Sequence, residues 1–196
     1  MRAAGFVLAG GQSTRMGTDK ARLPLGSHCL VEDVAGKISA AAGNVALVGS
    51  QERYTDLPFE CLDDLRPGFG PISGIETALA SRRGDLNLIA GCDMPRLEIA
   101  WLRELILQAR SSEALCVVAH DADGRTHPLC AVYKAACLPL VSRAIDERRL
   151  KLMDLIAELK PDFFLIRHSL PNLNRPEDWI SWQEREGFSF DRVKPA

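Results

Sequence analysis

The chain reads as an α/β protein whose largely parallel sheet is covered by helices on both faces. Three observations predict this. Short β-rich apolar runs alternate with longer stretches of helical period. Several of the short runs are apolar at every position, as strands buried on both faces should be. Loops rich in glycine, proline and charge follow three of the strands, where sheets of this class bind ligands.

Taken in order, the first expected strand is Gly5–Ala9, which runs into Gly10-Gly11. A helix over Leu30–Ala41 follows, with Ser27 as its expected cap. Strands Asn44–Val48 and Phe59–Leu62 come next, then a helix over Pro71–Ser81 with proline in its first turn, where the missing N–H costs little. Strand Leu86–Gly91 leads to a helix over Ile99–Arg110, which places Ile99, Leu102, Leu105 and Ile106 on one face. Strands Ala114–Ala119 and Pro128–Tyr133, helices Ala135–Arg148 and Lys151–Leu159, and strand Phe163–Ile166 complete the alternation. A last helix over Pro176–Glu186 has Asn174 as its expected cap. No repeat or linker interrupts the 196 residues, so one domain is expected: a ligand-binding half over about 1–95, a second half over about 96–187 and a polar tail over 188–196.

Composition narrows the function. With 46% apolar residues, 26% charged residues and a net charge of −2, the chain has neither the basic excess of a nucleic-acid binder nor a membrane-spanning run. No secretory leader is read at Met1–Leu8, and a cytoplasmic location is expected. The six cysteines form no CxxC pair and sit mostly in apolar runs, so packed, reduced thiols are expected. No G-x-S-x-G elbow exists, which argues against acyl transfer.

Most chemistry is concentrated after the first strand, in "LAGGQSTRMGTDKA". Gly10-Gly11 lets backbone approach a ligand, and exposed N–H groups of a glycine turn favour anions. Arg15 and Lys20 add fixed positive charge, Arg suited to bidentate phosphate contact and Lys acting as a compact point charge. A polyphosphate is the matching ligand. The Walker loop is excluded because Ala21, not Ser or Thr, follows Lys20, and the G-x-G-x-x-G fingerprint is excluded by the spacing of Gly10, Gly11 and Gly17.

Other candidates sit at the ends of later strands. Asp93 closes an apolar strand, where a carboxylate is costly unless it meets a cation or donors. Binding Mg²⁺ together with substrate phosphates is favoured for it, over capping the helix near Leu97. Asp63 and Asp64 end another strand, with Asp63 ahead of Asp64 as a nucleoside contact and a solvated turn as the alternative. Gly70, Pro71 and Gly74 are read as shaping a loop and letting a helix pack closely. His127, held extended before Pro128, is a candidate on the acceptor side against an ordinary surface histidine.

The same glycine loop resembles the L-A-[AG]-G-x-S-x-R-M-G-x-x-K signature of the MobA-like nucleotidyltransferases, nearest to their molybdenum cofactor guanylyltransferase branch. "GPISGI", "CDMP", "HP" and "NLNRPEDW" follow in that family's order. The resemblance implies a Rossmann-like three-layer α/β/α sandwich of the nucleotide-diphospho-sugar transferase type, with a mainly parallel mixed sheet. It implies transfer of GMP from GTP to the phosphate of molybdopterin, giving molybdopterin guanine dinucleotide and pyrophosphate, with Mg²⁺. It further implies hand-over to molybdenum-cofactor insertion proteins. By motif, Leu8, Ala9, Gly10 and Gly11 would hold the nucleotide through backbone groups, Lys20 and Arg15 its phosphates, Asp63 its nucleoside and Asp93 the metal. Asn172 and Asn174 would lie toward the acceptor. "LAGG" favours guanine, since the related cytidylyltransferases read L-A-A-G. The family's asparagine after the second strand is replaced by Val48 or Gly49, so either backbone groups of Val48–Ser50 substitute or base selectivity differs. Transfer to another phosphorylated small molecule, and a non-catalytic nucleotide-binding module, are the remaining alternatives.

Overall fold

A computed structural model of the protein describes residues 1–10, 19–173 and 176–186. Strand β1 (Ala3–Leu8) is followed by a one-turn 3-10 helix (Lys20–Arg22), a small hairpin of β2 (Pro24–Leu25) and β3 (His28–Cys29), and helix α1 (Leu30–Ala42). Next come β4 (Ala46–Gly49), a 3-10 turn (Gln51–Arg53), β5 (Cys61–Asp63), α2 (Pro71–Ala80), β6 (Leu86–Gly91) and α3 (Ile99–Ser111). The chain continues through β7 (Cys116–His120), β8 (Thr126–Lys134), a 3-10 turn (Ala135–Cys137), α4 (Leu138–Asp146), α5 (Leu152–Leu159), β9 (Asp162–Leu165) and α6 (Pro176–Glu186).

Seven strands form one sheet in the order β5-β4-β1-β6-β8-β7-β9. The β5-β4-β1-β6 portion is parallel throughout, with Phe6 beside both Ala46 and Ile89. Strand β8 runs antiparallel to both neighbours, and β9 pairs parallel with β7. This is the expected mainly parallel mixed sheet.

The continuous apolar runs have the predicted cause. Within β1, Val7 packs with Val34, Ile38 and Leu102 from α1 and α3, while Phe6 and Leu8 pack with Ile72, Ile75 and Leu79 from α2 on the opposite face. Both sides of the strand are therefore covered, and every position is apolar. Helices α4 and α5 extend the second layer through Val141, Ile145, Leu155 and Ile156. A third, smaller cluster seats Trp179 and Trp182 of α6 on Leu25 and Leu30, beside Leu173.

Several local expectations are corrected. The helix after the hairpin is capped at Cys29, where Glu32 accepts from the Cys29 N–H at 2.7 Å, because Ser27 is consumed in the hairpin turn. The stretch read as one helix over Ala135–Arg148 begins as a 3-10 turn and is α-helical only over Leu138–Asp146; Arg148 adopts a positive φ of 55°. Asn174, Gly11 and Arg15 lie outside the described residues, as does the tail over 188–196. All six cysteines are free thiols, and five of them are buried. No helix among the described residues is long and apolar enough to cross a membrane.

Candidate nucleotide site

The carboxyl ends of β1, β4 and β6 open on a cavity of about 670 Å³. Its wall is built from four loops: Leu8, Gly10 and Lys20 after β1; Val48, Gly49, Ser50 and Arg53 after β4; Asp64, Pro67, Gly68 and Gly70 after β5; and Gly91, Cys92 and Asp93 after β6. Parallel neighbours deliver all of these ends to the same rim.

Lys20 and Asp93 meet there. The ammonium donates to the Asp93 carboxylate at 2.8 Å, with side chains only 17% and 15% exposed. Lys20 thus pairs across the fold with Asp93. Asp93 is not a helix cap: α3 is capped at Glu98, without a side-chain bond. Three contacts fix the segment carrying Asp93. The Cys92 N–H donates to the Leu8 carbonyl at 3.2 Å, the Leu173 N–H donates to the Asp93 carbonyl at 2.9 Å, and Lys37 of α1 donates to the Pro95 carbonyl at 2.7 Å. Gly91 makes room for the carboxylate, since a Cβ there would stand 2.7 Å from Asp93 Oδ1. Cys92 also lines the cavity, but burial, followed by the adjacent Asp93 charge, pushes its thiol up to about 12. It is therefore a neutral wall, not a thiolate nucleophile.

The donor set suits a hard divalent cation. Asp93 offers carboxylate oxygens at the cavity, and Asn172 Oδ1 is buried without a hydrogen-bond partner among the described residues. Asn172 precedes Leu173, which touches the Asp93 backbone. Oxygen ligands of this kind, few in number and supplemented by substrate phosphates, are what Mg²⁺ takes. No group of three or more His, Cys, Asp or Glu side chains that could hold a metal gathers at this site or elsewhere among the described residues, so substrate oxygens would complete the set.

Other expected residues are distributed unevenly. Leu8 and Gly10 line the cavity, whereas the backbone of Ala9 is engaged internally: its N–H donates to the Val48 carbonyl at 2.9 Å and its carbonyl accepts from the Tyr54 hydroxyl at 2.8 Å. Asp63 lies outside the cavity wall, and its carboxylate accepts from the Gln51 N–H at 2.8 Å. Asp64 is the acidic residue of that pair on the wall, held by Ser73 Oγ and by the Arg66 N–H at 3.1 Å. Val48, Gly49 and Ser50 line the cavity after β4. Gly70, Pro71 and Gly74 are wall residues as well as packing elements.

His127 is 7% exposed, and a ring nitrogen lies 2.9 Å from Asp121 Oδ2. It is neither a surface histidine nor part of the cavity wall. Asp121 also accepts from the N–H groups of Asp123, Arg125 and Leu170 at 3.0, 3.0 and 3.1 Å. Burial alone would raise its pKa, but the Arg125 N–H, the His127 ring and the Leu170 N–H outweigh burial and hold it at about 2. The pair therefore anchors the segment leading to Leu173.

Sequence reasoning did not single out Arg53 or Tyr54. Arg53 lines the cavity and pairs with Asp19 at 2.6 Å, and Tyr54 is buried beside it. The available signal was a lone tyrosine in the charged stretch "QERYTD", which a surface turn would not need.

Comparison with known proteins agrees with this geometry. The MobA-like NTP transferase domain profile matches residues 5–162. A probable molybdenum cofactor guanylyltransferase of Flavobacterium johnsoniae is 32% identical over 177 residues, spanning 88% of this chain and 92% of that one. One of Carboxydothermus hydrogenoformans is 32% identical over 171 residues, spanning 87% and 85%. Among solved structures, a molybdopterin-guanine dinucleotide biosynthesis protein A from Archaeoglobus fulgidus superposes with a TM-score of 0.81 at 23% identity, covering 94% of this chain and 98% of that chain.

Proposed function

The chain belongs to the MobA-like NTP transferase family, and from that premise we propose that it is a molybdenum cofactor guanylyltransferase, transferring GMP from GTP to the terminal phosphate of molybdopterin with release of pyrophosphate. The observation that carries this reading is the meeting of Lys20 and Asp93, from the loops after β1 and β6, at one cavity of nucleotide size. The relatives' names supply the acceptor and the base.

In this mechanism an oxygen of the acceptor phosphate attacks the α-phosphorus of GTP. The new P–O bond forms as the bond to the β-phosphate breaks, and the electron pair leaves on pyrophosphate. A phosphate nucleophile is already ionised near neutral pH, so no general base is required, and the protonated Cys92 offers no covalent alternative. The Lys20 ammonium offsets charge on the phosphates as it builds, in a site formed before the substrate arrives. Asp93 would hold Mg²⁺, which supplies charge neutralisation at the transferred phosphate. The glycine loop and the cavity wall bind and align the nucleotide, which is where most of the acceleration of such a displacement resides. The second half of the chain would present the acceptor, and hand-over to cofactor-insertion proteins would follow.

Incubation of the protein with molybdopterin, Mg²⁺ and either GTP or CTP tests the proposal. The guanine dinucleotide and pyrophosphate are expected from GTP, with CTP at least about tenfold poorer, a difference of roughly 1.4 kcal/mol. A cytosine dinucleotide formed from CTP alone overturns the base assignment. No product from either nucleotide overturns the acceptor.

A further inference from the structure

Ala9, just after β1, and Asp19, the residue before Lys20, bracket the glycine-rich stretch of the sequence. One side chain touches both ends. The Tyr54 hydroxyl donates to the Ala9 carbonyl at 2.8 Å and lies 3.4 Å from Asp19 Oδ2. Tyr54 is only 1% exposed, and its ring is part of the core with Val7, Ala9 and Ala21.

Its neighbours tighten the same closure. Arg53 pairs with Asp19 Oδ2 at 2.6 Å. Arg22, in the turn that begins with Lys20, donates to both oxygens of Asp56 at 2.8 and 2.5 Å and to the Arg53 carbonyl at 2.5 Å. The guanidinium carbons of Arg22 and Arg53 stand 5.3 and 5.9 Å from the Tyr54 ring centroid, within cation–π range. Asp19 Oδ1 meanwhile accepts from the Ala21 N–H at 3.1 Å, which caps the turn carrying Lys20. The segment Gln51–Asp56 is thus joined to both ends of the loop, although nothing in chain order requires it to touch either.

We infer that Tyr54 is a positioning residue for nucleotide binding: its hydroxyl closes the base of the glycine loop and, through Asp19, sets where the Lys20 ammonium enters the cavity. The inference rests on the proposed nucleotidyltransferase reading. A tyrosine placed here for packing alone would need only its ring. The hydroxyl instead gives its proton chiefly to the Ala9 carbonyl while standing within 3.4 Å of Asp19 Oδ2, so it holds one of the residues that bracket the loop and faces the other. Burial, and next the Asp19 charge, push the phenol well above its usual range, so it remains a hydrogen-bond donor at every working pH.

The test is Tyr54→Phe, which keeps the ring and removes the clasp. Losing hydrogen bonds at this site should raise the KM for the nucleotide about tenfold while kcat stays within about twofold. The rise should be of the same size for GTP and for CTP, whichever the protein accepts, because the clasp acts through Lys20 on the phosphates that both nucleotides share. Failure of the base assignment is thereby distinguishable from failure of the clasp. Equilibrium binding of GTP without acceptor should weaken by the same factor, a readout independent of turnover. Thermal unfolding in the absence of nucleotide controls for folding, and Asp19→Asn, which keeps the shape but weakens the acceptor, is the second variant and should shift KM in the same direction. A lower Tm with unchanged KM and unchanged GTP binding overturns the inference, as does a fall confined to kcat.

Discussion

The parallel portion of the sheet, β5-β4-β1-β6, and the mixed portion, β8-β7-β9, share one core but use their loops in opposite ways. In the parallel portion the strand ends are spent on a cavity. Two ion pairs, Lys20 with Asp93 and Arg53 with Asp19, stand at its edge, and the wall is largely glycine, proline and backbone. In the mixed portion the corresponding polar groups are turned inward. Asp121, with a wholly buried carboxylate, takes three N–H donors and a histidine, and only Leu129 of this portion reaches the cavity. The contrast teaches where each kind of buried charge belongs. The cavity carboxylate Asp93 meets a single side-chain cation, an arrangement a ligand could exchange, while Asp121 is saturated with fixed backbone donors.

The largest expected effect breaks that contrast on the ligand side. Lys20→Ala and Asp93→Ala should each lower nucleotide transfer by at least about a hundredfold, close to 2.7 kcal/mol of transition-state stabilisation, while leaving the unfolding temperature within a few degrees. Pyrophosphate release and differential scanning fluorimetry read the two quantities. If activity falls by less than about tenfold in both variants, the paired charges are structural and the cavity has been assigned the wrong role.

The two portions were not equally legible in the sequence. In the parallel portion, β6 and the start of α1 stand where the apolar pattern places them: β6 is apolar but for the buried Asn87 and ends at Gly91, and α1 starts at Leu30. Lys20 and Asp93 were readable as partners because parallel strands must send their carboxyl ends the same way. Asp63 and Asp64 show the limit of that reasoning: successive side chains point in opposite directions, and which of the two faces the ligand depends on where the strand ends, a boundary that hydrophobicity does not fix. His127 shows another limit. Its partner Asp121 lies in the β7–β8 turn just before the strand that carries His127, but both residues carry charge or polarity that a sequence assigns to solvent until the segment around Leu170 is seen to cover them. The lone tyrosine in "QERYTD" hinted that Tyr54 is buried, but its partners were not legible, because they are reached through a long-range contact between two loops.

A second, smaller effect tests the stability side. The Asp121 carboxyl is lowered from 3.8 to about 2 in the folded protein. A depressed folded pKa contributes stability that is fully present above the unfolded value and is lost as pH falls through the folded one. The contribution should therefore be complete above about pH 4 and disappear toward pH 2, amounting to about 2 kcal/mol. Asp121→Asn should lower the stability measured by urea unfolding at pH 7 and flatten its acid limb between those pH values. A variant whose loss persists undiminished at pH 2 would show that shape, not charge, holds the Leu170 segment.

The smallest effect is expected at the seam between packing and binding, in Gly74. It lies inside α2, where alanine would gain about 0.5–1 kcal/mol of helix propensity. A Cβ there would, however, stand 3.0 and 3.1 Å from the two terminal carbons of Leu8, tighter than ordinary contact. Leu8 can yield only in one direction: it is packed against Ile72 and Ile75 behind and faces the cavity in front. The gain in helix propensity and the cost of overpacking should nearly cancel in stability, with the displaced leucine encroaching on the space that Leu8 and Gly74 both line. Gly74→Ala should thus unfold within about 1 kcal/mol of the parent while its nucleotide KM rises about threefold. If stability falls by several kcal/mol instead, Leu8 is not free to move, and the wall of the cavity is as rigid as the core behind it.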